Sequence, residues 1–273
     1  MPDIPLLTGQ DGARIPAIGF GTAGIRGAAG YAATASAIDA GYRLLDTAFN
    51  YDNEGAVGAA LRDASVPRDS LVYSTKIPGR YHAHDLARHA IEESLYRSGL
   101  DHLDLVLIHW PNPSKDLYVE AWQALVEARE AGLVRMIGVS NFLPEHLDRI
   151  IAATGVTPVL NQIELHPYFP QDELRAANAE RGILTEAWSP LKPGLRDEAV
   201  ITRIAAAHGV TPGQLLLAWS VTVGAIPLPK STSPERQADN LRVFDVELSE
   251  DELGEIATLA RSGGADPLTH EEY

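Results

Sequence analysis

The sequence predicts an α/β protein, a (β/α)8 TIM barrel with an N-terminal β-hairpin capping the barrel bottom. Three observations predict it. Short apolar runs alternate with longer segments of helical period, eight such runs can be marked, and no linker, Ser-rich tract or charge block interrupts them across 273 residues. Strands alternating with helices imply βαβ units and a parallel sheet. Eight repeats in about 250 residues match a closed barrel, so a single barrel over 1–273 is expected rather than two domains. A doubly wound open sheet is the alternative. Its fingerprint is incomplete: Gly19-Phe20-Gly21-Thr22-Ala23-Gly24 has G-x-G but no third glycine in place, and no phosphate-loop pattern occurs.

The elements follow in order. Residues 4–7 and 14–18 flank Thr8-Gly9-Gln10-Asp11-Gly12, and Asp-Gly between apolar runs signals a hairpin. Strands are expected at 17–21, 43–46, 71–76, 103–109, 135–140, 159–163, 183–188 and 225–228. Tyr118, Ala121, Trp122 and Leu125 fall on one helix face, as do Leu86, Ala90 and Ile91, and Leu215, Ala218 and Trp219. Thr211-Pro212, Ser233-Pro234 and Ser249 with Glu252 are helix starts, while Gly132 and Gly182 stand where helices end. The connection 189–224 and the tail after Arg261 are expected to be irregular.

Composition narrows the function. Lys plus Arg is 22 and Asp plus Glu is 37, a formal charge of −15. That balance argues against nucleic acid and anionic membranes as partners. An anionic ligand would need its own cluster of cations. Cysteine is absent, which excludes disulfides, thiolate nucleophiles and Cys-ligated metals. No apolar run approaches the ~18 residues that span a bilayer. The first seven residues carry Asp3 and lack a basic leader region, so a cytoplasmic protein is the default expectation. Only four lysines occur, Lys76, Lys115, Lys192 and Lys230, against many arginines. A lysine here suggests that an ammonium is specifically wanted.

Barrel active sites form at the C-terminal strand ends. Those ends carry Asp46, Lys76, His109, Ser140-Asn141, Trp188-Ser189 and Pro229-Lys230-Ser231, with Gln162 on the sixth strand. Polar residues therefore gather at one rim above apolar strands.

With these residues assembled, the sequence resembles the aldo-keto reductases. The match is carried by Asp46-Thr47-Ala48 with Tyr51, Asn53 and Glu54, by Ser74-Thr75-Lys76, and by Leu107-Ile108-His109-Trp110-Pro111. It continues through Gly138-Val139-Ser140-Asn141-Phe142, Asn161-Gln162-Ile163-Glu164 with His166-Pro167, Trp188-Ser189-Pro190-Leu191 and Pro229-Lys230-Ser231. The motifs keep their order from about Ile4 to Phe244. Trp188 and the modest length look most like the bacterial 2,5-diketo-D-gluconate-reductase-like branch.

The resemblance implies NADPH-dependent reduction of aldehydes or ketones, including dicarbonyls or keto-sugars, by a catalytic tetrad of Asp46, Tyr51, Lys76 and His109. The chemistry suits those residue types. Hydride addition leaves an alkoxide that needs a proton, and a phenol near pKa ~10 is a poor donor unless tuned. An ammonium beside it is expected to lower that pKa, with an aspartate holding the ammonium charged. Arginine would serve worse, because its charge is spread over a wide fork. His109 would orient the substrate carbonyl.

The same resemblance implies that Ser140, Asn141 and Gln162 bind the NADPH carboxamide, groups that both donate and accept. Trp188 would stack on the nicotinamide. Lys230, Ser231, Thr232 and Arg236 would hold the 2′-phosphate at the start of a short helix, with Asn240 on the adenine. Gly21, Thr22, Ser189, Leu191 and Leu228 would line the rest of the cofactor. This cation pair meets the need that the acidic composition creates.

Departures from the family bear on substrate. Ala23 replaces a bulky aromatic, Pro78 a tryptophan, and Asp52 the usual glycine after the tyrosine. Asp52 either lies close enough to disfavour anionic substrates or raise the Tyr51 pKa, or points to solvent. The long C-terminal loop of larger members is expected to be mostly absent, leaving Trp110 as the main substrate wall of an open, wet pocket. The acidic tail 269–273 is expected to be solvated, with folding over the cofactor as the alternative. His82, His84, Asp85 and His89 imitate a metal cluster but read as a loop and helix start, so no metal is expected. Two competing functions are an NADPH-binding regulatory subunit with little turnover and a metal-dependent barrel hydrolase or isomerase. The partner expected is a small-molecule carbonyl compound, and the protein is expected to be a monomer.

Overall fold

The computed structural model describes residues 4–272. Residues 1–3, which open the segment read for a leader, and Tyr273 of the acidic tail lie outside them. Strands β1 (Leu6–Thr8) and β2 (Arg14–Pro16) pair antiparallel with Leu7 opposite Ile15. The turn works because Gly12 takes φ 83° and the Asp11 carboxylate accepts the Ala13 N–H at 3.0 Å.

Eight parallel strands follow in chain order: β3 (Phe20–Gly21), β4 (Leu44–Asp46), β5 (Val72–Ile77), β6 (Leu103–Ile108), β7 (Val134–Ser140), β8 (Leu160–Glu164), β9 (Leu184–Trp188) and β10 (Ala225–Pro227). The sheet closes on itself: Gly19 N–H donates to Pro227 C=O at 3.0 Å and Gly21 N–H to Pro229 C=O at 3.1 Å. The predicted barrel and its hairpin are both present. The first and last strands, Phe20–Gly21 and Ala225–Pro227, are shorter than the apolar runs suggested.

Strand alternation builds two cores. Leu44, Leu105, Leu107, Leu160 and Ile226 face inward and pack with Ile15 of the hairpin, which plugs that end of the barrel. Tyr73, Ile77, Val106 and Ile108 face outward against the helices, where Trp122, Tyr42 and Phe142 are fully buried. Burying each such side chain contributes roughly 1.5–3 kcal/mol.

The helices are α1 (Gly27–Ala40), α2 (Glu54–Arg62), α3 (His84–Ser98), α4 (Tyr118–Glu130), α5 (Pro144–Thr154), α6 (Asp172–Glu180), α7 (Ala199–Ala207), α8 (Pro212–Thr222), α9 (Pro234–Asn240) and α10 (Glu250–Ala257). The expected caps are there. Thr211 and Ser249 form reciprocal capping boxes with Gln214 and Glu252, and the Ser233 hydroxyl accepts from Arg236 N–H. The connection 189–224 is less irregular than expected: α7 fills it before α8, burying Ile201 and Ile204 against Leu215 and Trp219. None of the helices of the described residues is long and apolar enough to cross a membrane.

One close approach decides how α2 meets α3. A Cβ on Gly58 would lie 2.1 Å from Ser98 C=O. Glycine costs a helix interior about 0.5–1 kcal/mol against alanine, yet here space demands it. We expect Gly58→Ala to lose about 1–3 kcal/mol through overpacking. Urea unfolding monitored by circular dichroism checks this, and an unchanged midpoint would show that the helices can separate freely.

Candidate active site

The inward-facing positions change character toward the strand ends. Leu44 gives way to Asp46, Leu107 to His109, and Leu160 to Gln162, two residues apart in each case. Lys76 stands at the same level on β5. An apolar layer thus carries a polar one, beneath a cleft of about 710 Å³ lined by Tyr51, His109, Trp110, Asn141, Trp188 and Lys230 among others.

Asp46, Lys76, Tyr51 and His109 come together under this cleft. Lys76 Nζ donates to Asp46 Oδ1 at 2.6 Å and Oδ2 at 2.8 Å, and to Thr47 C=O at 2.7 Å. The same ammonium also contacts the Tyr51 phenol. Burial would pull the Lys76 ammonium down, but Asp46 outweighs it and holds the group above its ordinary value. Lys76 Nζ lies 5.2 Å from the Tyr51 ring centre, and the Tyr51 and His109 rings meet edge to face at 5.9 Å.

The Tyr51 phenol departs from expectation. Burial pushes its pKa up, Lys76 pulls it down, and Asp46 and Glu272 push it up again, so the net shift is upward. Desolvation of a phenolate outweighs one already neutralised ammonium. Tyr51 is therefore held in its protonated, donating form, and Lys76 acts on the phenolate that forms when the proton leaves. Asp52 sits at φ 54°, where the family's glycine would be at ease, and is exposed beside Arg26 at 3.3 Å. Its carboxylate points to solvent.

Ser140, Asn141, Gln162 and Trp188 also line the cleft. Asn141 takes φ 61°, which turns its side chain back: Nδ2 donates to His109 C=O at 2.9 Å, while Oδ1 accepts from Trp188 Nε1 at 2.9 Å. Gln162 Nε2 donates to Asp46 Oδ1 at 3.0 Å and Glu186 Oε2 at 2.5 Å. Both amide protons go to carboxyl oxygens, which leaves Gln162 Oε1 as its available acceptor. Glu186 pairs in register with Gln162 on the next strand. Burial, then the Asp46 charge, pushes its pKa up to about 8, so it is a neutral acid at pH 7.

At the far end, Gly21, Ser189, Leu191, Leu228 and Lys230 line the cleft. Ser189 also has positive φ, 55°. Thr22 lies beneath it, its hydroxyl donating to Asp46 C=O at 2.8 Å. Lys230 Nζ reaches across to Ala23 C=O at 2.8 Å. Beyond Lys230, Arg236 Nε donates to Ser231 Oγ at 3.3 Å, Thr232 is exposed, and Asn240 is buried beside Tyr42. Three of the four lysines, Lys76, Lys192 and Lys230, belong to the site, while Lys115 is exposed. The donor set and its cations fit a nicotinamide dinucleotide: amide and hydroxyl groups at the tyrosine end, unpaired cations at the other.

The C-terminal segment corrects two expectations. Its end is anchored on the substrate side, although 268–270 remain exposed. Ala265 N–H donates to Glu164 Oε2 at 2.8 Å, His270 stacks on Trp110 with ring centres 3.9 Å apart, and Glu272 Oε1 lies 2.8 Å from His109 Nδ1. Trp110 lines the cleft with one side covered by His270, so it is a supported wall and not a bare one. The histidines 82, 84 and 89 diverge: His84 meets Asp85 and Glu127, His89 meets Glu92, and His82 is buried.

Several site residues went unread in the sequence. Asn53 Nδ2 donates to Thr22 and Ile25 carbonyls, and Glu54 accepts from Thr75, so these motif residues tie the tyrosine loop to the barrel. Glu186 had a signal, since a carboxylate two residues before Trp188 on a strand shares its face. Glu272 had none.

Residues 17–261 match the aldo/keto reductase family, and the chain belongs to it: an oxidoreductase that uses a nicotinamide cofactor. Among its relatives, 2,5-diketo-D-gluconic acid reductase B of Corynebacterium sp. is 50% identical over all of both chains. Methylglyoxal reductase DkgA of Escherichia coli is 44% identical over 94% of this chain and 95% of its own. A crystal structure of a Gox0644 point mutant in complex with NADPH superposes with a TM-score of 0.93 at 40% identity, covering 98% of this chain and 99% of that one.

Glu164 gives a pH test of how the tail and the loop after β9 are anchored. Burial pushes its pKa up, but His166, Lys192 and the Ala265 N–H pull it down to about 2. A depressed carboxylate stabilises fully above its unfolded pKa near 4.5 and loses that stabilisation as pH falls toward 2. We expect Glu164→Gln to cost on the order of 3 kcal/mol at pH 7 and less at each step below pH 4.5. Thermal melts of both proteins from pH 7 to 3 check the convergence.

Proposed function

We propose that this protein reduces aldehydes or ketones, including dicarbonyls or keto-sugars, to alcohols with NADPH, Tyr51 serving as general acid. One observation carries the reading: a fully satisfied Asp46–Lys76 pair buried directly beside a protonated Tyr51 at the base of the cleft. A related reductase crystallised with NADPH and relatives named for diketogluconic acid and methylglyoxal support it.

When bound, NADPH supplies the hydride. This chain's residues do the rest. Tyr51 Oη gives its proton to the forming alkoxide, and Lys76 stabilises the phenolate left behind, its own charge held by Asp46. His109 directs the carbonyl oxygen toward that proton. Gln162 Oε1 accepts from a carboxamide N–H, the one role its committed Nε2 leaves open. Ser140, Asn141 and Trp188 complete that subsite. Lys230 and Arg236 hold the 2′-phosphate, with Ser231 and Thr232 beside them and Asn240 at the adenine. Gly21, Thr22, Ser189, Leu191 and Leu228 shape the channel between, and Trp110 borders the substrate. The protein is read as a cytoplasmic monomer made of one barrel domain.

Two experiments test this reading. We expect Tyr51→Phe to lower kcat by ~10²–10⁴-fold with NADPH Kd nearly unchanged. Lys76→Arg should be severely impaired although charge is kept, because the guanidinium fork cannot occupy the ammonium site. A Tyr51→Phe enzyme keeping more than about a tenth of wild-type kcat would remove the general acid from the mechanism. A wild-type protein that binds NADPH but turns over no carbonyl compound would favour the regulatory-subunit reading.

The second concerns cofactor choice. Charge-assisted bonds to the 2′-phosphate are worth about 1.5–3 kcal/mol each. Arg236→Ala should therefore weaken NADPH binding about tenfold or more and leave NADH almost unaffected. Fluorescence titration with both cofactors measures this, and equal losses would show that Arg236 does not read the phosphate.

A further inference from the structure

We infer that Glu272 is a positioning residue for His109: the C-terminal strap delivers a buried carboxylate to the ring nitrogen sealed from the cleft, and so fixes how the imidazole addresses a carbonyl oxygen. The inference rests on the reduction proposed above and adds a residue to it that lies far outside the tetrad motifs.

The geometry is that of a latch. Glu272 Oε1 lies 2.8 Å from His109 Nδ1, and Asn50 Nδ2 donates to the same oxygen at 2.8 Å. The Gly79 N–H also faces the carboxylate and helps keep it ionised. The Glu272 backbone C=O accepts from Asn112 Nδ2 at 2.7 Å, and the Ser114 N–H donates to Glu271 at 2.9 Å. Loops following three successive strands, β4, β5 and β6, thus converge on one residue of the strap. Both partners are nearly sealed, with side-chain exposures of 13% for His109 and 12% for Glu272.

Burying a carboxylate costs several kcal/mol unless it is paired and hydrogen-bonded, so the placement is specific. Burial pushes the Glu272 carboxyl up, but His109, Asn50 and Gly79 more than offset it and keep it ionised. The neighbouring His82 does not compete for that charge. Burial drives its pKa down to about 4, so it is neutral.

The consequence for His109 follows from imidazole chemistry. The two atoms meet at ion-pair distance without full hydrogen-bond alignment, so a small ring rotation with a proton on Nδ1 closes the bond, whereas a flipped ring would present C–H instead. Nδ1 is sealed from solvent, so Nε2 is the nitrogen left for the cleft that His109 lines. A ring held at Nδ1 by Glu272 presents Nε2 to the carbonyl oxygen in one fixed orientation.

The strap also depends on a glycine. A Cβ on Gly79 would lie 2.5 Å from Glu272 C=O and 2.2 Å from Asn112 Nδ2. Gly79→Ala therefore displaces the strap without altering its chemistry.

The test is a double-mutant cycle. Glu272→Gln is near-isosteric but removes the charge. We expect kcat to fall about tenfold in the wild-type background, with NADPH Kd within about twofold. In a His109→Gln background the same change should have almost no further effect. Gly79→Ala should mimic Glu272→Gln. A separate readout needs no turnover: in cofactor-free protein at fixed pH, the His109 Nδ1 resonance should move on Glu272→Gln while that of exposed His89 stays. Equal losses of kcat in both backgrounds would overturn the inference, because the strap would then act only as structure. An unmoved His109 resonance would overturn it too. If wild-type protein reduces no carbonyl compound, the functional reading fails, and the resonance still decides whether Glu272 governs the His109 ring.

Discussion

A buried ammonium is the constraint on which the rest of this structure depends. Lys76 is 1% exposed inside the barrel, a position that would neutralise it without a partner. Asp46 at 2.6 Å supplies that partner, and the barrel is arranged to keep Asp46 in place. Thr22 bonds its carbonyl, Gln162 shares its Oδ1, and Glu186 stays protonated instead of adding a second negative charge. Buried pairs of this kind add little net stability, while losing one partner costs about 3–5 kcal/mol. The pair is therefore best understood through what it does to Tyr51. In the proposed reaction burial would keep the phenol protonated beforehand, and Lys76 would stabilise the anion afterwards.

Much of this was legible in the sequence. The barrel followed from period and count, because an eight-fold alternation is a global pattern that survives errors at single boundaries. The polar rim followed from reading strand ends, and the scarcity of lysine singled out Lys76 and Lys230. What escaped notice lacks local period. Glu272 reaches Asn50 across 222 residues, and no spacing rule links them. The upward shift of Tyr51 was likewise hidden. It depends on how deeply the ring is buried, and a motif fixes partners without fixing depth. Helix α7 was passed over because its connection opens with Pro190, Pro193 and Gly194, which read as loop and mask the apolar periodicity that follows.

The two ends of the cleft solve opposite electrostatic problems. At the tyrosine end the charged groups have partners: Lys76 lies on Asp46, Glu272 lies against His109, and Glu186 is neutral. A neutral carbonyl can enter there without stripping water from an unpaired ion. At the other end they are left unmatched. Arg26, Arg68, Arg97, Arg135, Arg149 and Arg181 each pair with a carboxylate. Among the described residues Lys230 and Arg236 pair with none: Lys230 meets only the Ala23 carbonyl and Arg236 the Ser231 hydroxyl. In a chain of net charge −15 that restraint keeps positive potential where a phosphate group would lie. Half of the 18 arginines are spent on the protein's own carboxylates, while Lys230 and Arg236 at this end of the cleft stay free of them, so an acidic protein still offers cations to an anionic cofactor.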